Sequence, residues 1–154
     1  MAASSFAVSW HVEPQFSRLV RRRPLTSLAR RTLATTGAPA PSEVSIAIID
    51  DRSIRELNSR YRHVDGATDV LSFAAGTGDG FVTPPRAMAH LGDVAISYDT
   101  AERQAREAGR DIEDELAHLL VHGILHILGY DHESTSEARA MREREDALLG
   151  KAAH

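Results

Sequence analysis

The chain contains no cysteine. Disulfides, thiolate metal sites and cysteine nucleophiles are therefore excluded together. Lysine is nearly absent as well: of 18 basic residues, only Lys151 is not arginine. Arginine suits bidentate phosphate contacts. No apolar run approaches the length of a membrane-spanning helix, and no continuous apolar segment marks a secretory leader. At 154 residues, 42% hydrophobic and 26% charged, the chain has the size and composition of one globular domain. Against the missing cysteines stand eight histidines, four of them between His118 and His132. Any metal bound here must be held by nitrogen and oxygen.

Acidic residues are scarce at one end only. Residues 1–42 carry six arginines against the single acid Glu13, a balance of +5, whereas the remainder carries -9. Arg21, Arg22, Arg23, Arg30 and Arg31 are candidates for a phosphate-contacting face on an acidic body. A solvated helix face is the plainer alternative. The composition of this segment also fits a transit peptide. Its periodicity predicts folded structure instead: Phe6–Val12 alternates as a strand, and Leu25, Leu28, Ala29 and Leu33 follow Pro24 at helical spacing.

Further strands are expected at Glu43–Ile49, Asp69–Phe73 and His90–Ser97, each β-branched or alternating. Helices are expected from Arg52 to about Tyr61 with Asp51 as cap, from Thr100 to Ala108 ended by Gly109, and from Ile112 to Leu128 with Asp111 as cap, ended by Gly129. A last helix runs from about Ser136 to Leu149, with Ala138, Met141, Asp146 and Leu149 on roughly one side. Residues 75–89, rich in glycine and proline, read as a loop. The expected fold is α+β: a single domain over 1–154, with a small mixed sheet of about four strands and four to five helices. A basic strand and helix (1–42) precede the motif-bearing core (43–149).

The chemistry is concentrated in HLLVHGILHILGYDH, residues 118–132. His118, His122 and His126 lie along one helix face. About 12 Å of helix rise separates His118 from His126, so they do not share an ion whose nitrogen ligands lie about 2.0–2.1 Å from it. Gly129 turns the chain back, and His132 beyond it meets His126 and His122. His122, His126 and His132 thus form H-x-x-x-H-x-x-G-x-x-H, the ligand spacing of metzincin zinc proteases and a three-ligand, open site. His118 is left as a neighbour of the site or a cavity residue. In those proteases a glutamate after the first histidine is the general base; here that position is Gly123. The site therefore suits a substrate whose reaction depends on charge neutralisation, such as a phosphodiester.

HGILHILGYDH (122–132) resembles the motif of the YbeY family. LNSRYRHVDGATDVLSF (57–73) and LGDVAIS (91–97) resemble two further blocks of that family, and Met141 and Glu145 match its final helix. The resemblance implies a single-strand-specific, metal-dependent endoribonuclease. Its expected work is ribosomal RNA maturation, including the 16S 3′ end, and ribosome quality control. It implies Zn2+ (one ion per chain, other divalent transition metals being admissible) on His122, His126 and His132. It also implies Arg62 as the active-site arginine, ribosomal RNA and the small ribosomal subunit as partners, and a cytoplasmic location without membrane attachment. Tyr130 and Asp131 match the motif; Asp131 either orients a ligand imidazole or caps the turn. Asp69, Ser72 and Asp93 match as well and read as structural. The alternatives are a zinc metallopeptidase with an atypical base and a ribosome assembly factor with a structural metal.

Overall fold

β-Branched and alternating segments form the four strands of the computed structural model: β1 (Phe6–Val12), β2 (Ser42–Ile49), β3 (Val70–Ala74) and β4 (Ala89–Ser97). The structure describes residues 5–75, 89–130, 139, 143, 145 and 147–149. The strands form one sheet in the order β1-β2-β4-β3. β1 runs parallel to β2, β2 parallel to β4, and β3 antiparallel to β4, so the sheet is mixed. Every residue of β2 is buried, as befits a strand covered on both faces. β3, at the edge, buries only Leu71 and Phe73. The basic first segment is integral to the sheet, because Phe6–Val12 pair in register with Ser42–Ile48.

Among the described residues a 3-10 turn (Pro14–Phe16) and four α-helices complete the regular elements: α1 (Arg22–Thr35), α2 (Asp51–Arg62), α3 (Tyr98–Ala108) and α4 (Ile112–Ile127). The described residues of the last segment, Arg139, Glu143, Glu145 and 147–149, are also helical. Two helix starts differ from expectation. α2 is capped by Asp50, whose side chain accepts from Ser53 N at 2.8 Å, not by Asp51. Asp51 becomes the first helical residue and accepts from Ser97 Oγ and Thr100 Oγ1 at 2.6 and 2.7 Å. α3 begins at Tyr98 instead of Thr100, because Ser97 caps it by accepting from Thr100 N. Gly109 ends α3 and Asp111 precedes α4, as expected.

The sheet divides two apolar layers. On one face α1 and α4 pack with Tyr98 and Ala101 of α3 over Val44, Ile46, Ile48, Val94 and Ile96. On the other, Ile54, Leu57 and Tyr61 of α2 cover Ala47, Ile49, Ala95, Leu71 and Phe73. α4 is the most deeply sunk helix. Its Leu116, Leu120, Ile124 and Leu125 are at most 1% exposed, each burial stabilising by about 1.5–3 kcal/mol. Among the described residues no helix is long and apolar enough to cross a membrane. Residues 76–88, which hold most of the expected loop, lie outside the described residues.

Candidate metal centre

α4 carries the histidine cluster because one of its stripes is polar in an otherwise apolar helix. His118, His122 and His126 are half-buried while their neighbours Leu119, Val121, Ile124 and Leu125 are buried. His122 Nε2 and His126 Nε2 face each other at 3.1 Å. Two nitrogens on one tetrahedral zinc stand ~3.3 Å apart, given bonds of about 2.0–2.1 Å. The pair therefore fits a shared ion.

The other nitrogen of His122 explains its orientation. His122 Nδ1 lies 2.6 Å from Glu145 Oε2. An ionised carboxylate only accepts, so Nδ1 donates to it and Nε2 is turned toward His126. His118 Nε2 approaches the other oxygen of Glu145 at 3.8 Å. Donor atoms of His118, His122 and Glu145 thus gather within 4.8 Å of one another, a second grouping with metal-ligand chemistry. The 2.6 Å contact has hydrogen-bond length, shorter than the spacing of two ligands on one ion. It reads as the support of a ligand.

Arg62 stands across the opening, in the last turn of α2. Its guanidinium donates through Nη2 to the carbonyl of Ser72, and its Cζ lies 4.8 Å above the ring of Phe73. Arg62, Ser72, His122 and His126 line one cleft of about 420 Å³, together with Asp69 and Ile127. The arginine and two of the three expected ligands are thus brought together. Gly129 ends α4 in the backbone region that favours glycine, at φ 102°, and its N–H bonds to His126 O. His132 and Asp131, beyond that turn, lie outside the described residues.

Gly123 is glycine for a packing reason. A Cβ there would stand 2.6 Å from Val94 Cγ1 and 3.2 Å from Ser72 Oγ. The position faces the sheet, and a glutamate has no room on it.

Two site residues were not assigned a role from sequence. Glu145, 3% exposed, is the inward-facing acid of the last segment; the sequence reading put Asp146, outside the described residues, on that side. The signal was present in the spacing, since Glu145 lies four residues from both Met141 and Leu149. Ser72, read as structural, lines the cleft and donates to Gly123 O at 2.9 Å. Asp69 does have a structural part, accepting from Val70 N at 2.8 Å and Gln104 Nε2 at 3.3 Å.

The family model described as Endoribonuclease YbeY matches residues 13–153. The Endoribonuclease YbeY of Roseiflexus castenholzii is 46% identical over 151 residues, covering 97% of this chain and 95% of the relative. That of Dehalococcoides mccartyi (strain BAV1) is 43% identical over 146 residues, covering 90% and 91%. The solution structure of TM1509 from Thermotoga maritima shares the fold, with a TM-score of 0.58 and 24% identity over 93% of this chain and 89% of that one. On the match across residues 13–153 and these identities, the chain belongs to the YbeY endoribonuclease family.

Proposed function

We propose that the protein is a metal-dependent endoribonuclease that cleaves single-stranded ribosomal RNA during maturation of the small subunit, in the cytoplasm. The observation that carries this reading is the cleft that sets the guanidinium of Arg62 opposite the paired Nε2 atoms of His122 and His126. His122 and His126 would hold the ion, with His132 as third ligand, and zinc would suit an all-imidazole set. When bound, it polarises a phosphoryl oxygen and lowers the pKa of a water. Arg62 holds the non-bridging oxygens of the scissile phosphate and stabilises the charge that develops on them. Glu145 keeps the His122 ring turned toward the cleft.

An acidic protein needs a local surface to receive RNA. Arg18, Arg21, Arg22, Arg23, Arg30 and Arg31 are all exposed, and no acid occurs between residues 14 and 42. Among the described residues none of the six forms an ion pair, whereas Arg52, Arg55, Arg103, Arg106 and Arg110 each pair with a carboxylate. α1 also lacks an acid in its first turn and a side-chain cap, so cations crowd the helix end where they are least favoured. RNA phosphates would relieve that repulsion. Replacing Arg21, Arg22 and Arg23 by glutamine should lower the slope of log affinity against log salt by about 2, at ~0.7 per lost contact on a single strand; an unchanged slope removes α1 from the RNA path.

The function is tested with metal-loaded protein, a single-stranded precursor of the 16S 3′ end, the same sequence as duplex, and casein. Cleavage of the single strand alone is expected, falling by at least ~10²-fold in Arg62→Ala and in His126→Ala. Casein cleavage that survives Arg62→Ala, or intact RNA after incubation with the metal-loaded wild type, overturns the reading.

A further inference from the structure

The two walls of the cleft are built on different elements, and one residue joins them. Ser72 sits in the middle of β3, opposite Val94 of β4. Its carbonyl receives the guanidinium of Arg62. Its hydroxyl donates to Gly123 O, 2.9 Å away, on the turn of α4 between His122 and His126. The close approach depends on what Gly123 lacks, since a Cβ there would meet both Val94 and Ser72. Phe73, the next residue, supplies the ring beneath the guanidinium.

We infer that Ser72 is a positioning residue that sets the separation between Arg62 and the His122–His126 pair. This rests on the reading of Arg62 as the group that holds the phosphate. The main-chain bond anchors the arginine to β3, and the side-chain bond anchors β3 to the helix of ligands. Losing the hydroxyl frees β3 to move relative to α4 and carries Arg62 with it. The histidines, held by α4 and Glu145, stay in place. A misplacement of about 1 Å is enough to cost ~10²-fold in rate.

The experiment is a double-mutant cycle on the metal-loaded protein, with Ser72→Ala, Arg62→Ala, both together, and Ser72→Thr, which keeps the hydroxyl on a strand-compatible side chain. Two readouts are taken: single-stranded RNA cleavage, and the affinity for inorganic phosphate by calorimetry. Ser72→Ala should lower kcat by about 10–100-fold with KM changed less than about 3-fold. It should weaken phosphate binding and leave the metal affinity, measured by chelator competition, unchanged. In the Arg62→Ala background it should cost nothing more in either readout, and Ser72→Thr should recover most of the loss. Equal losses from Ser72→Ala with and without Arg62, or a parallel fall in metal affinity, overturn the inference. The phosphate cycle separates the two readings. Coupled phosphate binding without RNA cleavage retains Ser72 and overturns the ribonuclease; RNA cleavage with an additive cycle does the reverse.

Discussion

His90 and His122 each set Nδ1 against a glutamate from another element, Glu43 of β2 at 3.1 Å and Glu145 at 2.6 Å. The two acids are sealed alike, with side chains 6% and 4% exposed. The histidines part at the second nitrogen. His90 Nε2 meets Asp93 Oδ1 at 3.0 Å, so both its ring nitrogens are spent, and its side chain is 9% exposed. His122 Nε2 faces His126 instead and borders the cleft. One cluster ties β2 to β4; the other presents a ring nitrogen. A buried carboxylate fixes an imidazole in either case, and the fate of the remaining nitrogen decides between a structural ring and a ligand.

The largest expected effect breaks the comparison at the proposed ligand. His122→Ala should abolish stoichiometric metal binding and lower RNA cleavage by at least ~10²-fold. His90→Ala should leave the metal content intact and instead destabilise the fold by about 1–3 kcal/mol, since it leaves Glu43 and Asp93 buried without the ring between them. Metal analysis and denaturant melts of both variants decide it. Metal lost from His90→Ala would mean that the two clusters are one system. A smaller effect comes from the acids. Glu145→Gln keeps an acceptor for His122 Nδ1 but removes its charge, and should weaken metal affinity by about 10–100-fold in chelator competition. Glu43→Gln should not move that affinity.

Residue spacing carried much of this outcome. Period-2 and period-3.6 patterns located the four strands and the four helices to within a few residues, because each element has one face against the sheet or core. Helix starts were less legible. Asp50 and Asp51 are both competent caps, and distant partners, Ser97, Thr100 and Arg103, draw the Asp51 side chain away from the helix end. At the site, the i, i+4 spacing gave the facing pair His122 and His126, and Arg62 rested on resemblance. The inward spacing of Glu145 was legible but its partner His122, 23 residues away in sequence, was not, and Ser72 lies 51 residues from its partner Gly123. Local pattern holds no record of such contacts. His90 and His122 likewise look the same until their second nitrogens are placed.

The distinction between the clusters also requires α4 to lie close on the sheet, which Gly123→Ala tests. In an exposed helix this substitution stabilises by about 1 kcal/mol. Here the added Cβ would stand 2.6 Å from Val94 Cγ1, and overpacking costs about 1–3 kcal/mol. The expected net effect is a loss of about 1 kcal/mol, with cleavage reduced because β3 and Ser72 are pushed from α4. A stabilised, fully active variant would mean that the helix rides higher than this and that the cleft does not need the contact.

The smallest effect isolates a carboxylate with no histidine at all. Burial works to raise the pKa of Asp51, but hydrogen bonds from Ser97, Thr100 and Arg103, with the charge of Arg103, outweigh it and hold the carboxyl below 3.8. A depressed folded value means that stability is fully present above the unfolded value of about 3.9 and is lost as pH falls through the folded one. Asp51→Asn should therefore cost about 0.5–1 kcal/mol at pH 7, allowing for a side chain 31% exposed. The gap to wild type should narrow as pH falls below the unfolded value and close only once pH is below the depressed folded value, where wild-type Asp51 is neutral as well. Metal affinity at pH 7 should be unaltered, because neither Asp51 nor its partners Ser97 and Thr100 line the cleft. A gap that does not narrow at all as pH falls through the acid range would assign the loss to altered packing at the start of α2, leaving the carboxylates of the two histidine clusters as the ones whose charge matters.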